Sequence, residues 1–307
     1  MSPPAQALVD DRPRSGRPPW MEQPSTAAQI ARLTLFIVLG VVMLFPFVYV
    51  IAVSFSSYKD VIGGGLILFP KHPSLEAYRT IFRGGIVTHA LLVSIGLTLV
   101  GTAVNMVMTV TMAYGLTRSI PGSRFVLGLV LFTLLFSAGL IPNYLLVKQL
   151  GMLNSYTSLI LPGAISAFNL VVIRQFFMNL PQELLESARI DGANELWILL
   201  RVVLPLSKPV LAVIALFYGV AHWNDFFAAT LYLNDADKWP IQLVLRQYVL
   251  QGSSLAAFIT PDPSQAPPPP QTVQMAVVVV ATVPILIVYP FLQRYFTQGV
   301  LSGAIKG

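Results

Sequence analysis

Residues 186–205 read ESARIDGANELWILLRVVLP, a polar island between segments that are long, apolar and uncharged. The residues in and just before it predict two short helices joined by a turn. Pro181 suits the first turn of a helix, where a missing amide proton is no loss, and Glu183 suits its positive end. A helix is expected from Pro181 to about Ile190. Leu184, Leu185 and Ala188 cluster at spacings of one, three and four, which leaves Glu183, Glu186 and Arg189 as a charged edge. Asp191 and Gly192 break this helix: glycine tolerates positive φ, and the Asp191 carboxylate is expected to accept amide protons from the next helix start. The chain resumes as helix over 194–201, and Pro205 ends it or turns it into the following apolar segment.

Outward from the island, composition sets the class. Of 307 residues, 55% are hydrophobic and 10% charged, against about 25% charged in a soluble domain, so an all-α membrane protein is expected. Uncharged stretches cover 33–53, 90–116, 125–147, 155–173, 209–224 and 271–293. A bilayer core needs about 20 apolar helical residues. Five stretches qualify directly, and the fifth in order does so if it continues past Asp225 to Asn234. Six spans are expected within a domain over 33–297, with a Pro- and Arg-rich tail over 1–32 and a short tail over 298–307. The first tail is too long and irregular for the start of a cleaved signal peptide. Cysteine is absent, which excludes disulfides and thiolate metal sites, and no metal site is expected. The net charge of +6 is spread beside spans instead of forming one basic surface, which argues against nucleic acid.

With the amino terminus inside, six spans return the carboxyl terminus inside, and the inner segments 1–32, 117–124, 174–208 and 294–307 hold twelve of the nineteen Lys and Arg. Positive-inside bias supports that orientation and puts the island in the cytoplasm. Outside, 54–89 reads as an extended loop with one short helix near 75–82, and 235–270 ends in an exposed polyproline-like linker, PDPSQAPPPP. The island itself admits two readings: an amphipathic loop that merely orients two spans, or a helix pair with one face for a partner.

A resemblance separates them. The string resembles the EAA loop of ABC-transporter permease subunits, whose pattern is Glu-Ala-Ala, three residues, Gly, nine residues, Ile, one residue, Leu-Pro. Glu186, Ser187 and Ala188 stand for the triplet, Gly192 follows at the required spacing, and Val202, Leu204 and Pro205 supply the end. Ser187 for Ala and Val202 for Ile are departures of small volume. AYGLTRSIPG, FSAGLIPNYLLVKQLGMLNS, LPGAISAFNLVVIRQFF, WNDFFAATLYL and VPILIVYPFLQRYFTQGVLSGAIKG are similar to the carbohydrate-importer branch, especially permeases for complex or oligosaccharide uptake.

The resemblance implies one half of a pore completed by a second permease subunit, a heterodimer being favoured. Two ATPase subunits beneath hold ATP and Mg²⁺, and an extracytoplasmic solute-binding protein delivers cargo at a bacterial cytoplasmic membrane. The loop over 181–205 would insert into a groove on the ATPase. Leu184, Leu185, Ala188, Gly192 and Ala193 are the implied contacts, with Glu186 and Asp191 as polar anchors and Leu204 and Pro205 closing the element. Residues 302–307 are a second implied contact, or a frayed tail. The chain itself has no GxxxxGK[ST] and no Gly-Lys pair, so no phosphate-cradling loop can form, and no cofactor is expected on this chain.

A sugar path needs polar groups at spacings of three or four along a span. Ser94, Thr98, Thr102, Asn105 and Thr109 form such a stripe; Ser155, Ser158, Ser166 and Asn169 form another. Tyr218, His222 and Asp225 share a face beside Trp223 and Asn224, and Asn143 and Tyr144 adjoin Pro142. Serines and threonines equally let helices approach in lipid. Asn105, Asn169 and Asp225 are costlier there and point to a cavity or a partner. His89 and His222 lack any metal-ligand pattern and suit helix ends or packing. A secondary transporter would call for an inverted repeat and an ion-coupling acidic cluster. A membrane enzyme would call for paired acids, HExxH, or a Ser-His or Ser-Lys set. The sequence carries none of these.

Overall fold

The computed structural model describes residues 25–83, 85–251 and 270–304. Among them the chain is helical, with a single isolated bridge between Ser56 and Pro73 and no strand. It divides into two units, Met1–Val48 and Tyr49–Gly307. Helix α1 (Thr26–Ser54) is apolar over 29 residues, roughly 44 Å at 1.5 Å per residue, and supplies what is described of the first unit.

The second unit is organised on α4 (Ile86–Gly115), 30 residues long. Before it lie α2 (Tyr58–Ile62) and α3 (Glu76–Arg83), the latter within one residue of its predicted place. After it come α5 (Ser123–Leu135), α6 (Leu140–Gln149), α7 (Thr157–Ile160) and α8 (Ala167–Met178). The island forms α9 (Gln182–Ile190) and α10 (Glu195–Ile198), which runs on through a π turn (Leu199–Val203) into α11 (Leu204–Leu206). Then follow α12 (Lys208–Asn224), α13 (Phe226–Tyr232), α14 (Ile241–Gln251) and α15 (Pro270–Ala304).

Three helices among the described residues are long and apolar enough to cross a membrane, and a fourth span arises if the island's second helix and α12, which meet at 87°, are joined. Two stretches predicted as continuous spans are broken. In 125–147 the helix stops at Leu135 and restarts at Leu140, because Gly139 takes φ 86 and ψ 176, a conformation open essentially to glycine alone. In 155–173 the sequence LPGAIS separates α7 from α8; Pro162 has no amide to donate and Gly163 disfavours helix. Asp225 breaks the fifth stretch after Asn224, and helix resumes at once in α13.

The two ends of α4 carry different cores. At one end Val87 and Ala90 pack with Ala77 and Ile81 of α3, Trp223 of α12, Val244 and Tyr248 of α14, and Val273 and Ala276 of α15. Within 235–270, where the sequence alone assigned no element before the Pro-rich end, α14 is a packed helix, because Ile241, Val244 and Tyr248 share one apolar face; residues 261–269 of the expected linker lie outside the described residues. At the other end Val110, Ala113 and Tyr114 pack with Ile173 and Phe177 of α8, Leu185 of α9, and Ile198 and Val203 of the island.

Candidate functional site

The island is built by local rules that the sequence states plainly. Pro181 precedes α9 as its cap, with extended ψ. Gly192 takes φ 82, the left-handed turn that glycine adopts without cost. The next helix is capped by Asn194, whose side-chain oxygen accepts from the Trp197 amide at 2.8 Å. The expectation that Asp191 does this is corrected: Asp191 closes α9, its own amide donating to Ser187 O. The π turn ends where Pro205 begins to act, since a proline cannot donate to the carbonyl four residues back, and its ring crowds that carbonyl. Ser207, buried, makes the 87° corner into α12.

Of the implied contact residues, Leu184, Glu186, Asp191, Gly192 and Pro205 are exposed. Leu185 is not; at 4% exposure it is part of the core between α4, α8 and α12, and Ala188, Ala193 and Leu204 pack against the same core. These four hold the helix pair to its own bundle, because a short amphipathic helix lying on a bundle has to bury its apolar stripe there. The outward apolar side chains are instead Leu184, Ile190, Leu196, Trp197 and Leu200, with Ile190 at 86% exposure.

A polar tie that sequence reasoning missed fixes the pair to α4. Tyr114 Oη donates to Glu195 Oε2 at 2.6 Å, Arg118 Nη2 lies 3.0 Å from the same oxygen, and Arg189 Nε donates to Glu195 Oε1 at 3.1 Å. Arg118 also lies over the Tyr114 ring and donates to its hydroxyl. Glu195 thereby joins the end of α4 to both island helices. Its carboxyl is held below the usual carboxylate range, first by the Tyr114 hydrogen bond and then by the two arginines, against partial burial. The signal was present as Tyr and Arg four residues apart at a span end, with an acid at a helix start. Behind the tie lies a cavity of about 150 Å³ lined by Tyr114, Thr117, Arg118, Phe177, Gln182 and Leu185, among others.

The polar stripe of α4 lies in the seam with α12 and its neighbours. Ser94 Oγ accepts from the Ile241 amide at 2.7 Å. Asn105 Nδ2 lies 3.2 Å from His222 Nε2, and Thr109 Oγ1 lies 2.7 Å from Tyr218 Oη, which accepts from the Ser166 amide. Gly101 admits the imidazole: a Cβ there would sit 2.6 Å from His222 Nε2. Asn105, Tyr218, Trp223 and Asn169 are all buried. Trp223 Nε1 donates to Ala281 O of α15 at 3.2 Å, and Asp225 caps α13 by accepting from the Ala228 amide. Asn224 is exposed, donating to Val220 O. Asn143 is exposed on α6, and Tyr144 stacks on Tyr232 at 6.1 Å. His89 binds the Asp237 carbonyl at the start of α4. Among the described residues no group of acids and histidines is placed to hold a metal ion.

Residues 29–302 match the family model described as binding-protein-dependent transport system inner membrane component. The chain belongs to this family. As a permease it is 50% identical over 269 residues to the polygalacturonan/rhamnogalacturonan transport system permease protein YtcP of Bacillus subtilis (strain 168), covering 87% of this chain and 94% of that one. It is 49% identical to protein LplC of the same organism, covering 87% and 91%. Among solved structures, a chain of a bacterial ABC transporter involved in the import of the acidic polysaccharide alginate matches with TM-score 0.81 at 30% identity, covering 90% of this permease and 100% of that chain.

Proposed function

We propose that this permease is half of the pore of an ATP-driven importer in a bacterial cytoplasmic membrane, carrying an oligosaccharide handed over by an extracytoplasmic binding protein. Both termini and the island face the cytoplasm in this reading. The six spans are α1, α4, α5 with α6, α8 with α7, α12 with α13, and α15. A second permease subunit completes the pore, and two ATPase subunits hold ATP and Mg²⁺. The observation that carries the reading is the island's outer face. Leu184, Ile190, Leu196, Trp197 and Leu200 stay exposed on a helix pair pinned to α4 through Glu195, and exposed apolar clusters of this kind mark interaction surfaces. A groove on an ATPase is the partner that suits a chain with no phosphate-binding loop of its own.

The relatives support a cargo class. One is named for polygalacturonan and rhamnogalacturonan and a structural neighbour for alginate, both of which contain uronate units, so an acidic oligosaccharide is proposed. The test is reconstitution with the ATPase and binding protein in vesicles. ATP-dependent uptake of a labelled oligogalacturonide is expected, and uptake of a neutral oligosaccharide alone would move the cargo class. Full-rate uptake without the ATPase would overturn the importer reading.

A further inference from the structure

The broken span between α5 and α6 leaves an unusual surface. Residues 136–139, Phe-Ser-Ala-Gly, are non-helical and exposed. They sit near the middle of the uncharged stretch bounded by Arg124 and Lys148, so with α5 and α6 spanning they lie close to the bilayer midplane. The break strips the backbone of partners. Phe136 N still donates to Phe132 O, and Asn143 N to Gly139 O. Among the described residues the carbonyls of residues 133–138 accept no hydrogen bond, and the amides of Ser137, Ala138, Leu140 and Ile141 find no backbone acceptor. Ser137 Oγ takes the Gly139 amide at 3.3 Å, the one side-chain bond that crosses the gap.

Hydrocarbon offers nothing to these groups. Each unpaired backbone polar group costs several kcal/mol in lipid, and irregular backbone at membrane depth is tolerated only where protein covers it or where it lines a water-filled cavity. Gly139 holds the break, because at φ 86 with ψ 176, a region open essentially to glycine alone, α5 does not run on into α6.

We propose that residues 136–139 line the aqueous translocation path, presenting a neutral, acceptor-rich strip of backbone carbonyls and the Ser137 hydroxyl to the hydroxyl groups of a passing sugar. Carbonyl oxygens accept hydroxyl protons over a broad range of angles and carry no charge to trap the sugar, which suits a surface that must release its cargo. Asn143, exposed one turn into α6, extends the strip. The assignment rests on the importer reading, and it names a part of the path on this subunit.

The chain has no cysteine, so single thiols report water directly. In the reconstituted transporter with its ATPase and binding protein, Ser137→Cys and Ala138→Cys are expected to react with a membrane-impermeant, water-soluble methanethiosulfonate at least tenfold faster than Leu131→Cys in α5. The rate should change between nucleotide-free and ATP-bound states, and transported oligogalacturonide should slow it. If both variants transport normally yet stay as unreactive as Leu131→Cys in every state, a neighbouring helix covers the break and the inference falls. If ATP-driven sugar uptake is absent with the unsubstituted chain, it is the importer reading that fails. Gly139→Ala supplies a second arm: slowed uptake with the complex still assembled is expected, and unchanged uptake would contradict the strip's role.

Discussion

The seam between α4 and α12 and the helix pair over 181–205 are inverses of each other. The seam hides Asn105, His222, Thr109 and Tyr218 among apolar helices, while the helix pair displays Leu184, Ile190, Leu196 and Trp197. Both arrangements follow from the surrounding medium. Lipid tails are as apolar as leucine, so inside the membrane it is the polar groups that gain by turning inward to one another. In water the same logic leaves an outward apolar cluster unfinished until a partner covers it. A polar stripe on a span therefore reads as adhesion, and an apolar stripe on a loop reads as an interface.

The largest effect is expected at the Gly192 turn. Gly192→Pro demands φ near −65° where the chain has φ 82; binding-protein-stimulated ATP hydrolysis in the assembled complex is expected to fall to background while the spans still assemble. Normal stimulation would remove the turn from the mechanism. In the seam, Gly101→Ala pushes a methyl into the His222 ring, and overpacking of this kind costs about 1–3 kcal/mol. Thermal unfolding in nanodiscs should show the loss, and the double variant with His222→Ala should recover part of it; simple additivity would contradict direct contact.

Ile190→Ala and Trp197→Ala are each expected to weaken retention of the ATPase subunits about tenfold, near 1.4 kcal/mol, with unchanged unfolding of the permease alone. Glu195→Gln keeps the shape and removes the charge that holds two arginines. Because Glu195 is half exposed, an effect of about 1 kcal/mol or less is expected on unfolding. Its folded pKa is lowered, so its contribution is complete above the unfolded value of about 4.3 and is lost only as pH falls through the folded value. Coupling between pH 6 and 8 should therefore show no titration from this group, and a midpoint in that range that vanishes in Glu195→Gln would contradict the assignment.

Local chemistry made much of this legible from residues alone. The limits of α9, the positive φ at Gly192, the short helix α3 and the single-faced stripe on α4 all rest on spacing, caps or turns, which neighbours in sequence decide. What escaped depends on distance. Leu185 and Ala188 look like contact residues because they are apolar, and only the tertiary placement of α9 on α4 and α8 decides that they face inward. Asp191 loses the capping role because the turn puts Asn194 three residues ahead of Trp197. Stretches 125–147 and 155–173 are apolar throughout, so hydropathy counts them as intact, whereas Gly139 and the Pro162-Gly163 pair break them through backbone geometry. Glu195 lies 81 residues from Tyr114 in sequence, and it meets Tyr114 and its neighbour Arg118 only in the fold.

In the proposed importer the outer face of the 181–205 helix pair docks on the ATPase. Single cysteines carrying a thiol-linked benzophenone, installed in the otherwise cysteine-free permease within the whole transporter, test it directly. Photo-cross-links to the ATPase subunit are predicted from Ile190→Cys and Trp197→Cys and not from Leu185→Cys. Cross-linking from Leu185→Cys with none from Ile190→Cys or Trp197→Cys would contradict it.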